Sequence, residues 1–205
     1  MPWSGSGRTG HGAWRWWRPK VSEAELARLH GAGFRGARFN LISPGGAPFD
    51  GVKGLAEKIA ARGWHLQFFA GHEVLIEHAG RLAALPVDLV LDHFGPLDLS
   101  DGPEQPAMRA LLDLLGRGST WVKLSGAYRV DQGAAPWPAA RPFAEALLKE
   151  APERLVWGTD WPHPDPPGPM PHAGDLLDAL WGWCRNEVLY RKILVDNPAG
   201  LYGFS

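Results

Sequence analysis

The sequence has little of several features that would direct a protein to a particular environment. Its 205 residues contain one cysteine, Cys184, so no intramolecular disulfide can form, as is typical of a reducing compartment. It has no run of about 18 apolar residues, and its first residues lack the apolar stretch of a signal peptide. The formal net charge of −1 gives no electrostatic reason to expect nucleic acid or an anionic membrane as a partner. These absences predict a cytoplasmic protein with no nucleic-acid and no membrane partner.

Several motifs of well-known site chemistry are also missing. The sequence has no Gly-x-Ser-x-Gly elbow, and no Gly-rich phosphate loop lies between a predicted strand and helix. Cys184 falls in a predicted late helix, which argues against a thiol nucleophile. An open nucleotide-binding module is disfavoured as well, because it needs a nucleotide-binding fingerprint at a strand-to-helix turn and the sequence has none.

Residues 1–20 differ in composition from the rest of the chain. Four of the eleven tryptophans fall within the first seventeen residues, and the segment has neither strand alternation nor a helical period. A segment rich in Trp and Arg can bind membranes or RNA. The alternative is an irregular tail, or a mis-assigned start of the kind that wrong-frame translation of a GC-rich gene produces. We favour the alternative and divide the chain into a tail, 1–20, outside the fold, and one domain, 21–205.

From residue 21 onward the pattern alternates between strand and helix. Ser22 and Glu25 have the spacing of a capping box that opens the first helix. Five strands are predicted, each followed by a helical segment, at 36–40, 64–69, 87–92, 120–125 and 154–159. Their starts lie about 23 to 34 residues apart, as βαβ units require. The pattern therefore predicts a parallel sheet covered by helices.

Polar side chains stand at or near the carboxyl end of every predicted strand, where parallel α/β folds place their sites. An aspartate there can accept a proton from attacking water, a histidine can polarise a carbonyl group, and an arginine fork suits a substrate carboxylate. The candidate catalytic residues are Asp160 and His93, and the candidate substrate-binding residues are Arg38, Arg129, His163, Asn40, Gln67 and Tyr128.

Each candidate also has a purely structural interpretation. Arg38 can pair with a carboxylate such as Asp92, Lys123 can make a structural ion pair, and His93 can bond a backbone carbonyl group. His30 and His65 stand beside the starts of predicted elements, and we expect both at the surface.

Five motifs resemble the amidohydrolase-related family, in particular its branch of lactone hydrolases. They are GFRGARFN at 33–40, LDHFG at 91–95, VKLSG at 122–126, GTDWPHP at 158–164 and DNPAGLYGF at 196–204. The resemblance implies a (β/α)₈ barrel in which Asp160 is the general base and His93 binds the scissile carbonyl group. It also implies that Arg38 and Arg129 hold substrate carboxylates and that His163 lies at the pocket rim.

The sequence departs from this family in one respect. The family's first strand ends in a His-x-His pair, and no such pair occurs in the 205 residues. The five predicted strands match the fourth to eighth strands of the barrel, so the fold class predicted is an incomplete (β/α)₈ barrel. Five strands cannot close such a barrel. We therefore expect an open edge, inward-facing apolar side chains left exposed, and a homo-oligomer formed through that edge.

The function predicted is hydrolysis of a carboxylated lactone or a related small molecule. The resemblance leaves open whether the cofactor is absent or is one divalent metal such as zinc, and no residue is assigned as a metal ligand. Two alternatives remain. The chain is an inactive fragment that lacks the His-x-His strand, or it is a decarboxylase of the same superfamily.

Overall fold

The computed structural model describes residues 21–42, 49–95, 97–131, 133–164 and 166–204. Residues 1–20, the predicted tail, lie outside this part of the chain. Five strands form the sheet: β1 (Gly36–Asn40), β2 (His65–Phe69), β3 (Leu89–Leu91), β4 (Thr120–Ser125) and β5 (Leu155–Gly158). The third strand is shorter than predicted because only its three apolar residues pair with both neighbouring strands.

The helices alternate with these strands and then close the chain. They are α1 (Glu23–Gly31), α2 (Val52–Ala60), α3 (His72–Ala83), α4 (Pro106–Gly116), α5 (Ala127–Asp131), α6 (Arg141–Glu150), α7 (Ala173–Cys184), α8 (Glu187–Arg191) and α9 (Asn197–Tyr202), with a π-helical segment at Lys192–Asp196. The predicted cap of α1 is present, because the Ser22 side chain accepts a hydrogen bond from the backbone of Glu25 at 3.2 Å. Gly33, with φ of +91°, follows this helix in a backbone conformation that favours glycine.

All strand pairs are parallel, and their spatial order follows the chain: β1-β2-β3-β4-β5. The sheet is open, as the predicted incomplete barrel requires, since within the described ranges the outer sides of β1 and β5 have no strand neighbour. Self-association through such an edge stays a prediction. No helix in the described residues is long and apolar enough to cross a membrane.

One face of the sheet packs against the helices and forms the main core. Leu66, Leu89, Val122 and Leu155 point to this side and are fully buried together with apolar residues of the helices. Burial of this kind contributes about 25 cal/mol for each square ångström of apolar surface removed from water.

The other face of the sheet corresponds to the inside of a barrel. It carries a second, smaller apolar cluster of Val90, Trp121 and Val156, against which Leu201 of α9 packs. Each of the three sheet residues is at most 6% exposed. The expectation that inward-facing apolar side chains would be exposed is therefore wrong for these three, and the C-terminal helix α9 contributes to their cover.

A second correction concerns His65, which opens β2 and is 4% exposed, not at the surface. Its ring lies so close to Gly36 that a Cβ atom at that glycine would come within 2.4 Å of the His65 Nε2 atom. Tyr202 of α9 contacts the ring edge-on at 5.6 Å between centroids. Gly36 and His65 are paired across β1 and β2, so the absence of a side chain at Gly36 makes room for the imidazole.

Burial of His65 predicts a pH-dependent loss of stability. Desolvation, helped by the positive charge of Lys123, lowers the pKa of His65 from 6.5 to about 4. The unfolded chain therefore binds the proton first as pH falls, and the free energy of unfolding should drop by up to about 3 kcal/mol between pH 6.5 and 4. Urea unfolding at several pH values measures this drop. The His65→Gln variant should lose less stability than wild type over this interval, and equal slopes for the two proteins would contradict the prediction.

Candidate active site

The carboxyl ends of the parallel strands meet at one edge of the sheet, and the predicted site residues gather there. Asp92 and His93 directly follow β3, Tyr128 and Arg129 lie in α5 just after β4, and Asp160 follows β5. Parallel pairing of the strands brings these segments side by side although they lie far apart in sequence.

Asp160 is held by two donors from α5. The Tyr128 hydroxyl donates to its Oδ2 atom at 2.6 Å, and the Arg129 Nε atom donates to the same oxygen at 2.5 Å. Arg129 is itself fixed by a second bond, from Nη2 to the Pro164 carbonyl at 2.6 Å. Asp160 has φ of +61°, a conformation that aspartate tolerates better than most residues. Both donors therefore fix Oδ2 and leave the second carboxylate oxygen, Oδ1, on the side of His93.

His93 faces the other oxygen of this carboxylate. Its Nε2 atom lies 3.8 Å from Asp160 Oδ1, and its Nδ1 atom lies 3.1 Å from the Ser125 hydroxyl. The ring is 8% exposed and meets Phe69 edge-on. Desolvation lowers the pKa of His93 despite the opposing charges of Asp92 and Asp160, so a neutral imidazole is favoured. The structural alternative considered from sequence was a bond to a backbone carbonyl group, whereas the partner found is the Ser125 side chain.

Gly126 gives His93 the space it occupies. This glycine has φ of +62°, and a Cβ atom placed on it would lie 2.7 Å from His93 Nδ1 and 3.2 Å from the Arg129 Cδ atom. A residue without a side chain is therefore required between the end of β4 and α5. The VKLSG motif contains this glycine, but the sequence alone gave no reason to connect it with His93.

The histidine of the GTDWPHP motif lies deeper than predicted. His163 was expected at the pocket rim, yet it is 6% exposed, and its ring meets that of Tyr128 edge-on at 5.7 Å. Its Nδ1 atom is buried without a hydrogen-bond partner within the described part of the chain. Burial, followed by the hydrogen bond to Asp160, raises the pKa of Tyr128, so its hydroxyl stays protonated and acts as a hydrogen-bond donor.

A second cluster lies beside the first and is centred on Asp92. Arg38 donates from Nε to Asp92 Oδ2 at 2.9 Å, Gln67 donates to Oδ1 at 2.6 Å, and Lys123 Nζ lies 3.2 Å from Oδ1. The ion pairs considered from sequence for Arg38 and Lys123 are thus both present, with one shared carboxylate. The Oδ1 atom of Asn40 accepts a hydrogen bond from the backbone N–H of Ile42 at 3.1 Å, and this bond does not involve the cluster around Asp92.

Residues of this site do not by themselves fit a metal ion. Asp160 and His93 offer two donors, whereas a catalytic zinc site needs three protein ligands. Among the described residues, no group of three His, Cys, Asp or Glu side chains is placed to hold a metal.

The family model described as Amidohydrolase matches residues 7–204. The chain belongs to the amidohydrolase family. Two curated relatives of this amidohydrolase are lactone hydrolases by name. The 2-pyrone-4,6-dicarboxylate hydrolase of Comamonas testosteroni is 34% identical over 89% of this chain and 63% of the relative. The 4-sulfomuconolactone hydrolase of Rhizobium radiobacter is 34% identical over 87% of this chain and 62% of the relative.

The amidohydrolase chain thus spans a little less than two thirds of the length of these curated relatives. Among solved structures, a protein of Acinetobacter baumannii with bound citric acid is 27% identical, with a TM-score of 0.81 over 94% of this chain and 73% of that chain. The 2,6-dihydroxybenzoate decarboxylase of Rhizobium, at 19% identity and a TM-score of 0.57 over 90% of this chain and 68% of that chain, shares the fold alone. These neighbours support the predicted barrel architecture.

Proposed function

We propose that this amidohydrolase hydrolyses a carboxylated lactone, with Asp160 as the general base and His93 as the group that binds the scissile carbonyl. The observation that carries the proposal is the unequal use of the two Asp160 oxygens. Tyr128 and Arg129 both donate to Oδ2, whereas Oδ1 faces His93 at 3.8 Å from its Nε2 atom. One oxygen is anchored, and the other is directed toward the space beside the imidazole.

This arrangement suits attack by water on an ester carbonyl group. One proton of the water passes to Asp160 Oδ1 as the water oxygen bonds to the carbonyl carbon, which gives a tetrahedral oxyanion. Collapse of that oxyanion breaks the ring C–O bond, and the proton held by Asp160 passes to the leaving oxygen. A positioned general base contributes about a hundredfold to ten-thousandfold to such a step.

His93 contributes as a neutral hydrogen-bond donor. If its Nδ1 atom accepts from the Ser125 hydroxyl, its Nε2 atom carries the proton and donates to the carbonyl oxygen. The lowered pKa of His93 supports this role, because a neutral imidazole does not form a tight ion pair with Asp160 and leaves the carboxylate available as a base.

The carboxylate of the substrate is proposed to lie toward Arg38. Its guanidinium group lies 5.5 Å from the centre of the Phe69 ring, and its side chain is 28% exposed, the most accessible of the cations around Asp92. A guanidinium group keeps its positive charge at any accessible pH and therefore attracts a carboxylate. The names of both curated relatives refer to lactone-type or pyrone substrates with acidic groups, which favours this substrate class over a neutral lactone. Arg129 is proposed to act mainly on Asp160, to which it is bonded here.

Hydrolysis of a panel of lactones by the purified chain tests the proposal. A pyrone dicarboxylate, a sugar lactone acid and a neutral lactone of similar ring size should be compared, each with and without added zinc. Faster opening of the carboxylated lactones supports the proposal. A folded chain that opens none of them would contradict it and would favour the inactive-fragment alternative.

A further inference from the structure

One charged group of the site has no part in the proposed reaction. Asp92 directly follows β3, and its backbone N–H donates to the Phe68 carbonyl at 2.9 Å, which continues the parallel pairing by one residue. The residue is 5% exposed and precedes His93 in sequence. A buried carboxylate is costly unless it is fully paired, so its surroundings indicate what it is for.

The partners of Asp92 come from three other strands. Arg38 on β1 uses two of its nitrogen atoms, Nε at 2.9 Å and Nη2 at 2.7 Å, and both contact Oδ2. Gln67 on β2 donates to Oδ1 at 2.6 Å, and Lys123 on β4 approaches that same oxygen at 3.2 Å. The carboxylate of Asp92, at the end of β3, thus connects β1, β2 and β4. Each of its two oxygens is contacted by at least one donor group.

These contacts stabilise the anionic form of Asp92. Burial alone would raise the pKa of Asp92, but the charges of Lys123 and Arg38 and the hydrogen bond from Gln67 lower it below its usual value. Asp92 therefore does not exchange protons near neutral pH. Its effect on the reaction must therefore come through the groups it holds. The side chains of Arg38 and Lys123 are 28% and 16% exposed, whereas the side chain of Asp92 is 2% exposed.

We propose that Asp92 is a positioning residue that holds Arg38 and Lys123 as a pair of cations for one carboxylate of the substrate. The inference rests on the proposed function and extends it, because it adds Lys123 to the substrate-binding groups. Both cations are bound on the side that faces Asp92, which fixes their directions before a ligand arrives. Such preorganisation lowers the entropic cost of binding a carboxylate. Without the anion, two cations would lie close together and repel each other.

The Asp92→Asn variant tests this role, because a positioning residue for substrate binding should affect KM and not kcat. The amide keeps the shape of the side chain but loses its charge and presents an NH2 group to donors. We expect KM for a carboxylated lactone to rise about tenfold or more, in line with the loss of hydrogen bonds to a charged group, while kcat stays within about threefold. For a carboxylate-free lactone, KM should not change.

The matched control is Asp88→Asn. Asp88 precedes β3, at the opposite end of that strand, and accepts a hydrogen bond from Trp121 Nε1 at 3.0 Å. Loss of its charge should leave KM and kcat for the carboxylated lactone unchanged. If Asp92→Asn does not fold, Gln67→Met replaces it, because it removes the 2.6 Å bond that orients Asp92 and should raise KM to a smaller extent.

Citrate binding, measured by titration calorimetry, separates this inference from the proposed reaction. The Kd of citrate should rise about tenfold or more in Asp92→Asn and remain unchanged in Asp88→Asn. Weakened binding in a chain that opens no lactone would support the positioning role and contradict the proposed reaction. Equal citrate affinity in wild type and Asp92→Asn, a loss confined to kcat, or no citrate binding by wild type would each overturn the inference.

Discussion

Replacement of Asp160 by Asn is expected to reduce lactone hydrolysis by about a hundredfold to ten-thousandfold, the range that a positioned general base contributes. The amide has nearly the same shape as the carboxylate but cannot accept the proton of the attacking water. The loss should appear in kcat, because the substrate carboxylate is bound by other groups. Steady-state kinetics on the best lactone of the panel measures the effect.

Stability must be followed in the same variant, since Asp160 also accepts bonds from Tyr128 and Arg129. The control is Asp113→Asn, an exposed aspartate on α4 that lies outside the site and whose replacement should leave kcat unaltered. If Asp160→Asn is folded and retains wild-type turnover, another group accepts the proton and the proposed mechanism is wrong.

Substitution of Gly126 by Ala is expected to lower both stability and activity. The backbone strain at φ of +62° costs about 1–2 kcal/mol for a residue with a Cβ atom. The added methyl group would also lie 2.7 Å from His93 Nδ1, so the imidazole must move away from Ser125 and from its place opposite Asp160. A displacement of about 1 Å at a catalytic group can cost about a hundredfold in rate, and we expect kcat/KM to fall by that order.

The control separates backbone strain from the clash with His93. Gly102 has φ of +72°, similar to that of Gly126, but an added Cβ atom would have no neighbour within 4 Å. Gly102→Ala should therefore show the strain in urea unfolding and retain full activity. Similar activity losses in the two variants would mean that the contact between Gly126 and His93 has no special role.

The sequence determined the order of strands and helices because both signals are local. The apolar segments at 36–40 and 120–125 are β1 and β4 with the predicted bounds, and Ser22 caps α1 as its spacing to Glu25 indicated. The placement of polar residues at strand ends was also readable, since parallel strands connected by helices present the same end to the same side. The family followed from short motifs at those ends and is confirmed by the match to residues 7–204.

What the tertiary structure decided is which of these polar groups bind one another. Asp92 and Asp160 both follow strands of the sheet. The carboxylate of Asp92 is bound by Arg38, Gln67 and Lys123. Asp160 is bound through its Oδ2 atom, and its Oδ1 atom faces His93. Substrate binding by Arg129 stays a prediction, and the fold shows in addition that Arg129 donates to Asp160. Likewise, His65 was expected at the surface, yet it is buried because Gly36 on the neighbouring strand leaves room for its ring. A pattern along one segment of the chain cannot specify contacts between side chains that only the register of the strands brings together. Those contacts decide which groups are positioned for catalysis and which groups hold the catalytic groups in place.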